Sequence, residues 1–331
     1  MGSTAGHRIE ALRRLGQEVR AFEVQIYTPK SRALSRLRLR YPFGPLVVKV
    51  NRELLKARED FRPDVVWFDK PIFFTSETMH AIKQAGTKIV FYVQDAPFGP
   101  RNDRCWKQFL RVFHMADLHC LLREADIPRY RGWGLPFIKV MLSFDPLVHF
   151  PPPSGFDDEK RDREVSFIGN PYENRPSFLL KLAQSHRLAV SINGNRWLRA
   201  LSREQQSQFR LGGFLAGEQY RSGIWRSKIN LSFVTEENEE DIAHKAVEIA
   251  ACAGFLLAVR TSGHQALFEE DREAVFFSSV EECADKARFY LKRPDLREAI
   301  ALRARERAVR GGYDNDTQLA RILNYLDSQP G

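Results

Sequence analysis

The sequence predicts an α/β fold in two domains, each a parallel sheet with crossover helices. Three observations carry this. Short apolar runs alternate with amphipathic stretches along the chain, the pattern of buried parallel strands separated by helices. The alternation breaks at residues 149–164 and then restarts. The chain has 331 residues, 43% of them hydrophobic, too many for one comfortable core and natural for two domains of about 150 residues.

Taken in order, apolar residues at 9, 12 and 15 mark a helix over Ile9–Leu15 that stops at Gly16,. A strand is expected over Val19–Tyr27, and a helix over Asn51–Asp60 leads through Pro63 into a strand at Val65–Phe68. A helix from about Ser76 ends at Gly86, before the β-rich run Lys88–Val93; strands follow at Leu118–Leu122 and Ile138–Leu142. His149-Phe-Pro-Pro-Pro and the charged run after it read as a linker, dividing domain 1–150 from domain 151–331,. Five more strands are expected, at Val165–Ile168, Leu188–Ile192, Ile229–Phe233, Phe255–Val259 and Ala274–Phe277. Helices close the chain over Val280–Lys292, Leu296–Arg310 and beyond Tyr313. A doubly wound domain should open with a strand, whereas Met-Gly-Ser-Thr-Ala-Gly reads as the loop after one. Either that strand is missing or the sheet does without it.

Composition narrows the function classes. The apolar fraction excludes a disordered chain. No run of about 18 uncharged apolar residues exists to span a membrane, and no charged-then-apolar leader opens the chain. The four cysteines lie far apart without C-x-x-C spacing, as free thiols of a reducing, cytoplasmic protein do. The net charge of +9 is uneven: residues 1–150 hold 25 Lys and Arg against 15 Asp and Glu, a net of +10. No phosphate-binding G-x-x-x-x-G-K-S/T loop, G-x-S-x-G elbow or H-E-x-x-H pair occurs. The D-x-D at Asp314–Asp316 precedes a helix and reads as its cap rather than a metal site,.

The most informative stretch runs from Ile229 to Glu270. After a buried strand comes the acidic Glu236–Asp241, then a helix carrying Glu248. Glu240 and Glu248, seven residues apart between them, could accept hydrogen bonds from the vicinal diol of a ribose or hexose, or could cap a solvated acidic helix,. Gly169 lies between a strand and a helix, where backbone N–H groups can approach a diphosphate, with Arg175 adding charge. Ser262-Gly263-His264 occupies a similar turn; His264 either joins a ligand or faces water. Gly194 and Trp197 form either a nucleobase platform or part of the core. In the first domain Gly2, Ser3 and Thr4 form a loop opening toward His7. Asp95, at the end of a strand, is placed either for acceptor contact and proton removal or for loop capping.

Several of these segments together resemble the CgeB-like glycosyltransferases, relatives of the retaining family-4 enzymes. They are Lys245-Ala-Val-Glu248-Ile-Ala-Ala-Cys-Ala-Gly254, Thr261-Ser-Gly-His264, Ala274-Val-Phe-Phe277, Pro63-Asp-Val-Val-Trp-Phe-Asp-Lys70, Val165-Ser-Phe-Ile-Gly169 with Arg175, Ile192-Asn-Gly194 with Trp197, and Tyr220 ahead of Lys228-Ile-Asn-Leu. The resemblance implies a GT-B architecture: two Rossmann-like domains facing a cleft, the C-terminal helix crossing back to the first. It further implies a nucleotide-diphosphate sugar as donor, retention of configuration, and no required metal or cofactor. Glu248 would bind the donor ribose and Glu240 the sugar or its phosphates. Gly169, Arg175, Gly194, Trp197, Tyr220, Lys245, Ser262, Gly263 and His264 would complete the donor site, with Asp95 and His7 beside Glu240 in catalysis. Two positions depart from the pattern: Lys245 replaces a frequent arginine and loses its bidentate fork, and Ala253 replaces a frequent glycine.

Two other function classes stand beside transfer: an epimerase or hydrolase acting on the nucleotide sugar itself, and a non-catalytic binder of sugar or nucleic acid. The basic segment Lys30, Arg32, Arg36, Arg38 and Arg40, interleaved with Leu34, Leu37, Leu39 and Tyr41, suits an anionic acceptor or the acidic inner surface of a membrane, or is a solvated face.

Overall fold

The computed structural model describes residues 4–27, 39–99 and 105–328. The chain forms two compact units. One comprises residues 9–141, 237–239 and 319–331; the other comprises 1–8, 142–236 and 240–318.

The first unit is built on four parallel strands, β1 (Val65–Asp69), β2 (Lys88–Val93), β3 (Leu118–Leu121) and β4 (Phe137–Lys139), in the order β1-β2-β3-β4. The unbroken apolar run of β2 follows from burial on both faces: Ile89, Val90 and Phe91 are fully buried,. The helix Pro45–Phe61 starts with proline in its first turn, where no N–H is needed, and buries Leu46, Val47, Val50 and Leu54 at helical spacing,. The helix Ser76–Gln84 begins at Thr75, whose hydroxyl accepts the Thr78 N–H, and seats Met79 and Ile82 in the core,.

No strand forms over Val19–Tyr27; the segment ends in a 3-10 turn, Val24–Tyr27. Apolar content there serves another purpose. Phe22, Val24 and Tyr27 lean on the core of the first unit partly buried, and a turn presents Val24 and Tyr27 on one side, as a strand would not.

The second unit holds six parallel strands: β5 (Arg163–Ile168), β6 (Val190–Asn193), β7 (Arg210–Gly212), β8 (Ser227–Ser232), β9 (Leu256–Val259) and β10 (Val275–Phe277). Their order is β10-β9-β8-β5-β6-β7. The chain builds outward from β5 to β7, returns to pair β8 with β5, and builds outward the other way. This is a doubly wound sheet with its switch point between β5 and β8, where the strand ends leave a crevice. Val165, Phe167, Ile229, Leu231, Leu257 and Val275 fill the core around it.

The segment read as a linker is fastened to this unit. Trp225 donates its indole N–H to the Phe150 carbonyl (2.9 Å), Arg221 stacks on the Phe150 ring, and buried Arg297 pairs with Asp158. Asp314 accepts both the N–H (2.7 Å) and the hydroxyl (2.8 Å) of Thr317, so the D-x-D is a helix cap. All four cysteines are buried and none forms a disulfide. Among the described residues no helix is long and apolar enough to cross a membrane. Lys30, Arg32, Leu34, Arg36, Leu37 and Arg38 lie outside the described residues; Leu39, Arg40 and Tyr41 are exposed.

Candidate functional site

The helix His244–Ala251 follows β8 at the switch point and is buried from Ala246 to Ala251. In that apolar face sits Glu248, 7% exposed. A buried carboxylate is costly unless it is fully partnered. Tyr220, on the helix Gly217–Trp225, donates its hydroxyl to Glu248 Oε2 at 2.5 Å. Glu248 Oε1 lies 3.7 Å from His149 Nε2 and 3.6 Å from His244 Nε2. Burial acts to raise the carboxyl pKa, but His244, His149, Lys245 and the Tyr220 hydroxyl outweigh it and hold Glu248 down to about 2. Burial pushes the Tyr220 hydroxyl far above the phenol range, and the adjacent carboxylate adds to the shift. The result is a nearly dry, ionised carboxylate held at Oε2 by the Tyr220 hydroxyl.

Three imidazoles surround it. His149 is 2% exposed, and its Nδ1 accepts the Asp145 N–H at 3.1 Å. His244 Nε2 lies 2.9 Å from the Ser143 carbonyl and must donate there,. His7 meets His149 edge to face at 5.5 Å, and His149 meets Tyr220 the same way at 5.8 Å. Burial shifts all three histidines toward the neutral form, against the pull of Glu248. Of the expected residues, this cluster gathers His7, Tyr220, Lys245 and Glu248; His149 and His244 were missed. A histidine just before Phe-Pro-Pro-Pro was the available signal, hidden by the linker reading.

The turn after β5 is built differently from expectation. Gly169 donates its N–H to the Asn193 carbonyl (2.8 Å), and its own carbonyl accepts the Trp197 indole N–H (2.7 Å). Its backbone is therefore already engaged and is not a bare donor for a diphosphate. Gly194 has φ +153°, and a Cβ there would stand 2.0 Å from the Gly169 carbonyl oxygen, so glycine is required,. Trp197 is 2% exposed within the core, which corrects the nucleobase platform: the indole ties β5 to β6 instead. Arg175 is also buried; Nη2 donates to the Val234 carbonyl (2.9 Å) and the Thr235 hydroxyl (3.0 Å). Glu240 accepts the Thr235 N–H at 2.8 Å. Arg175 and Glu240 thus both hold Thr235, just beyond β8. Burial pushes the Arg175 pKa down, while Glu173 and Glu240 oppose the shift.

Ser262, Gly263 and His264 seat against the segment that starts the Glu248 helix. The Ser262 hydroxyl donates to Asp241 (3.1 Å), and a Cβ on Gly263 would stand 2.6 Å from Asp241 Oδ2. His264 is fully buried. Its Nδ1 donates to the Val259 carbonyl (2.8 Å) and its Nε2 accepts the Ala243 N–H (3.0 Å). With both nitrogens used, His264 cannot itself take a ligand; it fixes the helix start.

In the first unit, Asp95 follows β2 and pairs with Lys70 Nζ at 2.5 Å, while Asn238 Nδ2 donates to its other oxygen at 3.3 Å. Arg123, after β3, forks onto Asp126 and reaches the Asn238 carbonyl (3.1 Å). Thr4 opens the helix Thr4–Arg14; Gly2 and Ser3 lie outside the described residues. Among the described residues no group of three or more His, Cys, Asp or Glu side chains is placed to hold a metal ion.

Residues 175–324, a little under half of the chain, match the model of the family described as Glycosyl transferase-like. No curated protein matches the sequence. Among solved structures, HepE of Anabaena in complex with UDP and glucose is 15% identical with a TM-score of 0.65, the match covering 86% of this chain and 82% of that one. TarM of S. aureus, solved with UDP among its ligands, is 12% identical with a TM-score of 0.65 and covers 86% and 60%. Sucrose-phosphate synthase of Thermosynechococcus elongatus is 10% identical with a TM-score of 0.63 and covers 86% and 82%.

Proposed function

We propose that this chain is a glycosyltransferase of the CgeB-like kind, moving a sugar from a nucleotide-diphosphate donor to an acceptor. Its two parallel-sheet, Rossmann-like units have the GT-B fold of the structures just named. The single observation that carries the reading is Glu248: an ionised, nearly dry carboxylate at the switch point of the doubly wound sheet, inside the family-matched region.

On this reading a ribose diol hydrogen-bonds to the Glu248 oxygen that Tyr220 leaves open. Lys245, three residues earlier on the same helix and without a hydrogen bond or ion pair of its own among the described residues, neutralises phosphate charge as a point cation,. Gly169, Gly194 and Trp197 set the turn that receives the nucleotide, and Arg175, Ser262, Gly263 and His264 act by holding its walls. UDP is the first nucleotide to test, because HepE and TarM are solved with it.

Transfer with retention and without a metal belongs to the same proposal. So does a division of labour in which residues 1–150 serve the acceptor and 151–331 the donor. Asp95, paired with Lys70, is the acceptor-side carboxylate; His7 and Glu240 serve the sugar. The basic excess of the first 150 residues favours an anionic acceptor, met in the cytoplasm or at its membrane surface.

Incubation with a labelled donor tests the activity. Transfer to an acceptor, lost in Glu248→Ala while the variant stays folded, supports the reading. Release of free sugar or an epimer from donor alone, without acceptor, favours the epimerase or hydrolase class instead.

A further inference from the structure

Two imidazoles face Glu248 Oε1 at nearly equal distance, but they are not equivalent. His244 commits its Nε2 proton to the Ser143 carbonyl at 2.9 Å. His149 uses Nδ1 as the acceptor of the Asp145 N–H. A neutral imidazole has one donor and one acceptor nitrogen, so the proton of His149 is on Nε2. That nitrogen lies 3.7 Å from Glu248 Oε1, just beyond hydrogen-bond distance, and donates to no other group among the described residues. Tyr220 already occupies Oε2.

We propose that His149 is the positioning residue of the nucleotide site: locked by Asp145, it presents Nε2–H to Glu248 and keeps Oε1 oriented for the ribose hydroxyls. The proposal rests on the nucleotide reading of Glu248 given above. A buried group that orients a ligand-binding side chain in this way acts as an outer partner does at a metal site, where its loss weakens binding without removing the ligand itself.

The charged and titratable groups around His149 come from four places. Asp145 lies on its own segment, and His244, Lys245 and Glu248 on the helix below. Tyr220 comes from the helix Gly217–Trp225, and His7 with Arg8 from the first helix.

Two substitutions separate positioning from loop capping. His149→Gln places an amide N–H where Nε2 was but loses the acceptor for Asp145. His149→Asn keeps an acceptor for Asp145 but has nothing to reach Glu248. Titration with UDP should show Asn weakening binding about tenfold or more, as loss of an orienting partner does, with Gln much closer to the parent. The reverse order would make His149 a loop cap and overturn the proposal.

Long-range nitrogen NMR of the parent chain gives a readout that needs neither a variant nor a nucleotide. The expected result at pH 7 is the Nε2–H tautomer of His149, with a titration that moves to lower pH in Glu248→Gln. An Nδ1–H tautomer, or a titration indifferent to Glu248→Gln, overturns the proposal. If the tautomer and the shift are found but the parent binds no nucleotide, the pairing of His149 with Glu248 stands and the nucleotide reading falls.

Discussion

His264 holds Ala243: its Nε2 accepts the Ala243 N–H at 3.0 Å, directly before the helix that carries Glu248. Because Nδ1 is spent on Val259, the ring is a strut between the end of β9 and the start of that helix. Replacing it with leucine leaves a buried N–H and a buried carbonyl without partners, each costing about 1–3 kcal/mol. His264→Leu should therefore unfold at clearly lower urea and bind nucleotide poorly. A variant with unchanged midpoint would show that the strut contributes nothing.

Ala253 has φ +50° just after the end of the same helix. A left-handed alanine costs about 1–2 kcal/mol, partly offset by the greater chain entropy of glycine when unfolded. Ala253→Gly is expected to stabilise the chain by about 0.5–1 kcal/mol, read as a rise in the denaturation midpoint. A fall would mean that the lost methyl contact outweighs the relieved strain.

Gly194 makes the opposite case. With φ +153° and the Gly169 carbonyl where a Cβ would be, Gly194→Ala forces the turn between β6 and the Trp197 helix to move. Loss of at least about 2 kcal/mol is expected from strain of this size, together with weaker nucleotide binding. Thermal unfolding and a UDP titration check both parts.

Stability should fall as pH drops below neutral. Burial lowers His149, His244 and His264, and lowers His119 among Phe91 and Tyr130 to about 4. The unfolded chain binds protons near the ordinary histidine pKa of about 6.5, while the folded chain refuses them to lower pH. Folding stability is thus fully present above about 6.5 and declines below it. Glu248 acts in the same direction lower down, its folded pKa of about 2 lying beneath the usual carboxyl range. Urea midpoints measured from pH 7.5 to 4.5 should decrease steadily, and His119→Phe should flatten the slope. A midpoint rising toward acid would contradict the assignment of neutral buried histidines.

Most of the architecture was legible because its signal is local. The run Lys88–Val93 reads as a buried strand, and the structure places a strand there from end to end. The edge strand Arg210–Gly212 escaped notice because it is three residues long and has little apolar content. Val19–Tyr27 misled for the converse reason, since its apolar residues are held by packing on a core, with no ladder. The site was legible only in part. Glu248 and Tyr220 stood out, but their pairing across 28 positions did not. Trp197, Arg175 and His264 were attractive as ligand contacts because Trp, Arg and His so often are. Nothing in their spacing revealed that backbone groups already engage the Trp197 indole N–H, both His264 nitrogens and the Arg175 Nη2.

Isothermal titration of UDP-glucose into the parent chain and into Glu248→Gln tests the central claim most directly. Saturable binding by the parent, lost or severely weakened in a folded Glu248→Gln, is the predicted result. Equal binding by the two chains would contradict it, as would no binding of UDP-glucose or of any other nucleotide-diphosphate sugar by the parent.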